Sequence, residues 1–189
     1  MPVLFVRIPD DRVGVVIGPG GATRREIGDR TGAEVHVDAG EGEVRISGPD
    51  EDPLAVLKAR DIVLALARGF SPPRAMRLLK DDTYLGLIDI KQATGHHEKE
   101  ALRRIRSRLI GTRGRARERI EELSGCSVSV YGTTVALIGK ERELENATRA
   151  VELLLRGSEH ATVYHLLARL RRDEALSSAM GPAEILPEG

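Results

Sequence analysis

Ile110-Gly111-Thr112-Arg113-Gly114 recurs, without gaps and 93 positions earlier, as Ile17-Gly18-Pro19-Gly20-Gly21. The same offset places Ile27 on Ile120 and Gly32 on Gly125. Two glycines at the same spacing in both copies indicate that one backbone geometry is needed twice. The chain is therefore an internal duplication.

The neighbours of the two glycine turns predict what that geometry does. An apolar element enters each turn, and a charged amphipathic segment leaves it, residues 22–31 in the first copy and 115–124 in the second. A helix that begins at such a turn leaves its first amide groups unpaired, and glycines allow another backbone to come close because they have no Cβ atom. An anionic backbone can therefore lie against the turn, at the positive end of the helix dipole.

The distribution of charge favours the second copy as the main site for such a partner. The formal net charge of the chain is zero, but residues 1–69 carry 9 Lys and Arg against 12 Asp and Glu. Residues 101–119 carry 8 Arg and a single acid, Glu118. We expect these arginines to meet a phosphate chain. The alternative is a solvated helix face whose arginines pair with Glu98, Glu100, Glu121 and Glu122.

Hydrophobic periodicity predicts the same element order in both copies. The first has a strand at 3–8, a helix from Asp10 or Asp11 to Ile17, the glycine turn, a helix at 22–31, and strands at 33–37 and 44–46. A long helix follows Asp52-Pro53 and ends at Gly69. Its expected core stripe comprises Leu54, Leu57, Ile62, Leu64 and Ala65.

The second copy repeats this order after a linker that contains Pro72-Pro73. We predict a strand at 84–90, helices at 97–109 and 115–124, a hairpin of strands at 126–131 and 135–138, and a helix at 141–156. The predicted domains are residues 1–70 and 84–157, joined by a linker at 71–83. A further helix at 158–177 docks on the second unit, and a flexible tail covers 178–189.

Composition bounds the class of protein. The single cysteine, Cys126, excludes an internal disulfide framework and fits a reducing compartment. It falls on the buried face of a strand, where we expect a small core residue rather than a nucleophile. No apolar run reaches the roughly 18 residues that span a membrane, and the first residues lack the layout of a signal peptide. We predict a cytoplasmic protein, and the high charged fraction of 31% leans toward a thermophilic source.

At this point the sequence resembles the KH family, whose Gly-x-x-Gly loop clamps about four nucleotides of single-stranded RNA. The resemblance covers residues 3 to 176 and implies an α+β fold. It consists of two type I KH domains, each with a three-stranded antiparallel sheet and three helices on one face, plus a C-terminal helix. Arg24 and Arg117 stand where most KH domains have Ile, so charge replaces part of the usual apolar groove.

More narrowly, residues 129–139 and the string Gly157-x-x-His160-x-x-Val163-Tyr164 resemble an archaeal two-KH ribosome-assembly family. This resemblance implies binding to the 3′ end of small-subunit rRNA, with the Nob endonuclease and the alpha subunit of translation initiation factor two as possible partners. It also implies a set of RNA-binding residues. They are Ile17, Gly18, Pro19, Gly20, Gly21, Arg24 and Arg25 in the first unit, and Arg108, Ile110, Gly111, Thr112, Arg113, Gly114, Arg115, Arg117, Val128 and Val130 in the second.

Other functions remain open on the sequence alone. A tandem-KH transcription termination or antitermination factor is disfavoured by the element order. An enzyme lacks an acid/base pair, a nucleophile with its base or a metal set, so we expect no catalytic residue, metal or cofactor. His96-His97 has no third ligand at metal spacing. We expect a monomer in which both units pack into one body, with the second unit carrying most of the RNA affinity.

Overall fold

A computed structural model describes residues 1–180. It contains two three-stranded antiparallel sheets, which confirms the predicted α+β class. The elements of the first unit are β1 (Val3–Arg7), α1 (Asp10–Ile17), α2 (Ala22–Thr31), β2 (Glu34–Asp38), β3 (Glu43–Ser47) and α3 (Pro53–Ala67). Its sheet has the order β1-β3-β2, so β2 is an edge strand beside the helix that follows the glycine turn.

The linker is itself folded into a short helix, α4 (Pro72–Ala75), and a 3₁₀ turn (Met76–Leu79). The second unit then repeats the sheet order as β4-β6-β5. Its elements are β4 (Tyr84–Asp89), α5 (Ile90–Thr94), α6 (Lys99–Ile110), α7 (Arg115–Ser124), β5 (Ser127–Tyr131), β6 (Thr134–Gly139) and α8 (Glu141–Leu155), followed by α9 (His160–Met180). The short helix α5 was not predicted from the sequence.

Local signals explain most of these boundaries. The side chain of Asp52 accepts a hydrogen bond of 3.2 Å from the amide of Ala55 and so caps α3, which begins at Pro53. Gly32 and Gly125 end α2 and α7 with φ of 80° and 83°, a conformation that glycine adopts without a steric penalty. By contrast, Asp10 lies inside the first turn of α1, and Pro9 occupies the cap position.

The predicted core stripe of α3 is partly wrong. Leu54 and Leu57 are 62% and 39% exposed. Ile62 and Ala65 are buried as expected, and Leu64 is partly buried. Because α3 is apolar on nearly every side, its sequence does not fix which face packs inward. The buried face uses Ala55, Val56, Ala59, Ile62, Val63 and Leu66, whose alanines let the helix lie close to the sheet.

Strand β6 joins the two units because both of its faces are buried. Val135 and Leu137 belong to the core of the second unit, whereas Ala136 and Ile138 pack into the core of the first. This explains why the strand is continuously apolar rather than alternating. The linker adds to the contact, since Arg74 and Arg77 donate hydrogen bonds to Glu121 and Ser127 of the second unit. Phe70, at the end of the first unit, is 1% exposed and belongs to the first core.

The last helix packs against α7 and α8 through the buried residues Val163 and Leu167. It continues to Met180, so residues 178–180 are helical rather than part of the tail predicted at 178–189. The rest of that tail lies outside the described residues. Among residues 1–180, no helix is long and apolar enough to cross a membrane.

Candidate nucleic-acid interface

The two glycine turns have the same backbone geometry. Gly18 and Gly111 both have φ of 73°, with ψ of 172° and 173°. The third residues of the two turns, Gly20 and Arg113, are both left-handed, with φ of 56° and 55°. A left-handed conformation is therefore required at a position that holds glycine in one copy and arginine in the other.

The first glycine of each turn is also needed for close packing. A Cβ atom on Gly111 would stand 2.6 Å from the Cβ of Ala116 and 2.7 Å from its amide nitrogen. A Cβ on Gly18 would stand 2.7 Å from the amide nitrogen of Thr23. Real Cβ atoms do not approach other atoms so closely, so each turn is held tightly against the first residues of the following helix.

The helices that follow the turns begin without side-chain caps. Gly21 and Gly114 occupy the cap positions of α2 and α7 and have no side chain that could accept from the first amides. Thr112 and Arg113 are exposed beside the second helix start. The positive end of α7 and an exposed guanidinium therefore share one surface, which is suited to a phosphate group.

A cavity of about 330 Å³ lies next to the second turn. The sequence-predicted residues Ile110, Arg117, Val128 and Val130 line it together with Ser129. Its remaining wall is formed by residues that sequence analysis did not assign to the site, from the end of the first unit and the start of the linker. These residues are Gly69, Phe70, Ser71 and Arg74. We call this cavity the second groove.

Glu121 fixes one side of the second groove. Its Oε1 accepts hydrogen bonds from Arg74, at 2.6 Å, and from the amide of Val128, at 2.7 Å. Its Oε2 lies 3.2 Å from Arg117, whose side chain is 27% exposed. Arg117 is therefore largely neutralised by Glu121 and forms part of the wall of the groove, rather than a free cation for a phosphate.

The remaining arginines of this region decide between the two interpretations of its charge. Arg117 and Arg119 pair with Glu121 and Glu122, as the solvated-face alternative expects. The exposed arginines of α6 and of the second turn form no ion pair with any of the residues 1–180. They are Arg103, Arg104, Arg106, Arg113 and Arg115. Five exposed arginines without an ion pair in the described part of the chain are therefore distributed over α6, the turn and the start of α7.

Arg108 lies apart from this row. Its guanidinium donates to the carbonyl oxygens of Leu154, at 3.3 Å, and Ser158, at 2.6 Å. The backbone oxygen of Arg108 lies 2.8 Å from Nε2 of His160. Arg108 therefore joins α6 to the connection between α8 and α9, and its guanidinium is less available to a phosphate than the exposed arginines are.

The first groove is a wider cavity of about 710 Å³ beside α2 and β2. Arg24 and Arg25 line it, and Nη1 of Arg25 donates to the backbone oxygen of Gly20 at 2.8 Å. The fold adds His36 and Arg45 from adjacent strands, where they pair in register. Sequence analysis missed these two residues because their position beside Arg24 and Arg25 depends on strand pairing. Asp29 and Glu34 also line the first groove, so its positive charge is partly balanced.

Cys126 is buried and has the character expected of a core residue. Burial, followed by the nearby charge of Glu143, raises the pKa of its thiol to about 12. A thiol with such a pKa is almost entirely protonated near neutral pH and is a poor nucleophile. Residues 1–180 contain no cluster of three metal-ligating side chains.

Comparison with known families defines the class of protein. Residues 84–172 match the family described as "Eukaryotic type KH-domain (KH-domain type I)", in the form found in the second domain of PNO1. Residues 3–65 match the family described as "KH domain". The sheet order, the two turns and these matches define an RNA-binding protein with two KH domains.

Individual relatives show to which group of KH proteins the chain belongs. The chain is 45% identical over 170 residues to a KH domain-containing protein of Methanocaldococcus jannaschii, covering 89% of this chain and 74% of the relative. It is similar to Dim2p of Pyrococcus horikoshii, with a TM-score of 0.83, 50% identity, and coverage of 89% and 99% of the two chains. The chain belongs to the Dim2p/PNO1 family of proteins with two KH domains.

Two further solved structures are similar to this chain over most of its length. One is a complex of a/eIF2alpha, aDim2p and rRNA from Pyrococcus horikoshii, matched with a TM-score of 0.85 and 49% identity over 91% of this chain and 95% of the other. The second is a protein of unknown function from Aeropyrum pernix, matched with a TM-score of 0.89 and 36% identity over 95% of both chains.

Proposed function

We propose that this protein is a non-catalytic ribosome-assembly factor that binds the 3′ end of small-subunit rRNA through its second KH domain. The observation that carries the proposal is the second turn, where Thr112 and Arg113 stand exposed at the uncapped start of α7. This surface suits a phosphate chain, and the adjacent groove has the apolar floor that unstacked bases need. The relative in complex with rRNA supports RNA as the ligand.

The exposed arginines of α6 and α7 favour a negatively charged ligand such as single-stranded RNA. If four to six phosphates are neutralised, the slope of log affinity against log salt should be about −3 to −4. A slope near zero would contradict the assignment of these arginines to the interface.

Protein partners belong to the same proposal. The alpha subunit of translation initiation factor two is supported by the complex in which a relative stands beside a/eIF2alpha. The Nob endonuclease rests on the family resemblance. A role on the small ribosomal subunit would also locate the protein in the cytoplasm.

The experiment that tests the site changes Thr112 and Arg113 together to Asp. Two negative charges would then face the phosphates where they meet the helix amides, in an exposed turn whose substitution should leave folding nearly unchanged. We expect a large loss of affinity for a single-stranded RNA with the 3′-terminal sequence of small-subunit rRNA, measured by fluorescence anisotropy. Circular dichroism should show an unchanged fold.

The matched control carries the same double change at Pro19 and Gly20 of the first turn. It should lose less affinity, because the first unit is acidic as a whole. A greater loss in this control would assign the main site to the first groove, whose Arg24, Arg25 and Arg45 would then be the cations that matter.

A separate experiment tests the cellular target. Cross-linking of the protein to RNA in cells should recover the small-subunit rRNA 3′ end. Recovery of nascent transcripts at large would instead support a transcription termination or antitermination factor.

Light scattering should give the mass of a monomer, since the apolar outer face of the second sheet is already covered by the first unit.

A further inference from the structure

We propose that the segment joining the two KH domains, residues 69–79, is part of the second RNA groove, and that Ser71 and Arg74 read the bases bound there. We call it the joining segment. The proposal deepens the function proposed above and rests on it. It assigns specificity to residues outside both glycine turns and outside the second domain itself. Packing of the first unit against the second is then a requirement for base recognition.

The joining segment is held tightly along the edge strand β5. Gly69 has φ of 98°, and a Cβ atom there would stand 2.6 Å from Oγ of Ser129. The same Ser129 hydroxyl donates to the backbone oxygen of Arg68 at 2.8 Å. Two residues later on the same strand, Tyr131 donates its hydroxyl to Asp11 of the first unit at 2.6 Å. These contacts fix the position of the segment relative to the groove.

This position lies on the base side of the groove. The phosphate side is the second turn, with its helix start and the exposed Arg113. Bases of a strand held there project away from the turn, toward β5 and the joining segment. Phosphate contacts position a nucleic acid, whereas contacts to base edges carry sequence information.

Strand β5 has no free polar side chain on this side to read those bases. The amide of Val128 already donates to Glu121, and the hydroxyl of Ser129 to Arg68. The side chains of Val128 and Val130 are apolar and can only pack against a base. The side chains on the strand side of the groove therefore supply shape, and any side-chain donor to a base must come from another element. The unused backbone groups of this edge strand, such as the amide of Val130, remain available beside them.

Ser71 and Arg74 supply the missing donors. Ser71 is exposed and lines the groove, and its hydroxyl has no hydrogen-bond partner among residues 1–180. Arg74 is held by Glu121 on one side and by the ring of Phe70, 5.9 Å from its guanidinium carbon. A guanidinium has five N–H donors, so those not used by Glu121 can meet the acceptor edge of a base.

The test compares Arg74→Lys with the matched control Arg77→Lys. Arg77 also belongs to the joining segment and donates to Ser127 of the second unit at 2.5 Å, but it does not line the groove. The probes are versions of the small-subunit 3′-end RNA that differ at one base at a time. Arg74→Lys should reduce discrimination at one position by about fivefold or more, since a guanidinium can contact a base with two donors.

The salt dependence distinguishes base reading from phosphate binding. Arg74→Lys should leave the salt slope unchanged. A second variant, Ser71→Asp, should lower affinity about tenfold by adding a negative charge beside the RNA. Folding should persist, because Asp is well tolerated at the start of helix α4. Its control is Thr162→Asp, an exposed position in the first turn of α9.

The outcomes separate this proposal from the proposed function. If the Asp variant of Thr112 and Arg113 loses affinity while the Ser71 and Arg74 variants behave like the parent, the joining segment is not part of the site. An equal effect of Arg77→Lys would also overturn the proposal, because packing alone would then explain the result. Unchanged binding in the Thr112 and Arg113 variant would overturn the proposed function and this inference together.

Discussion

Replacing Arg113 with Gly should raise stability and lower RNA affinity at the same time. Arg113 has φ of 55° and ψ of 29°, and it is the one left-handed residue other than glycine among residues 1–180. The equivalent residue of the first turn is Gly20, with φ of 56° and ψ of 24°. Backbone strain at an exposed residue of the turn fits a side chain that serves binding rather than folding.

The expected change in stability follows from two opposing terms. A left-handed residue other than glycine costs about 1–2 kcal/mol, which the change to Gly removes. Glycine loses more conformational freedom on folding, and this offsets about 0.5–1 kcal/mol of that gain. The net gain is about 0.5–1 kcal/mol, which for a chain of this size raises the melting temperature by about 2 °C. The exposed Arg113 side chain makes no ion pair within residues 1–180 that would be lost.

The expected change in affinity has the opposite sign. A hydrogen bond to a charged group contributes about 1.5 kcal/mol, which corresponds to about tenfold in affinity. Loss of one phosphate contact should also make the salt slope shallower by about 0.7. Thermal melting and anisotropy titrations at several salt concentrations measure both effects on the same preparation.

The reverse change in the first turn is a matched control. A Cβ atom on Gly20 would meet no atom within 4 Å, so Gly20→Arg fits without a clash. It should lower stability by about 0.5–1 kcal/mol through the same strain and add affinity to the first groove. A lower melting temperature for Arg113→Gly, or an unchanged salt slope, would refute this reasoning.

Three further predictions concern packing, reactivity and the RNA. Gly111→Ala should lower the free energy of unfolding, measured by chemical denaturation, by about 2 kcal/mol or more, because its Cβ would meet Ala116. Its control, Gly32→Ala, adds a Cβ in open space and should lower it by about 1 kcal/mol. Cys126 should resist a thiol reagent at pH 8 in the folded protein and react after unfolding, because its pKa of about 12 leaves very little thiolate. Duplex RNA should bind at least about tenfold more weakly than the single strand in anisotropy titrations, because paired bases cannot enter the groove; equal affinities would contradict it.

The sequence by itself determined the duplication, the order of the main helices and strands, and the place of both glycine turns. These features depend on short-range physics. The Gly-x-x-Gly spacing encodes a left-handed backbone and a close approach within a few residues, as Gly111 and Ala116 show. The glycine caps and the Asp52 cap act over the same short range.

Only the tertiary structure shows which of the candidate side chains are free to meet a ligand. In the sequence, Arg108, Arg117 and Arg113 are equivalent members of one arginine-rich stretch. In the fold, the guanidinium of Arg108 bonds to Ser158 and that of Arg117 pairs with Glu121. The buried outer face of β6 and the wall that Ser71 and Arg74 add to the second groove arise from packing between units. Such contacts join residues dozens of positions apart, and hydrophobic periodicity, which reports only on one element at a time, carries no information about them.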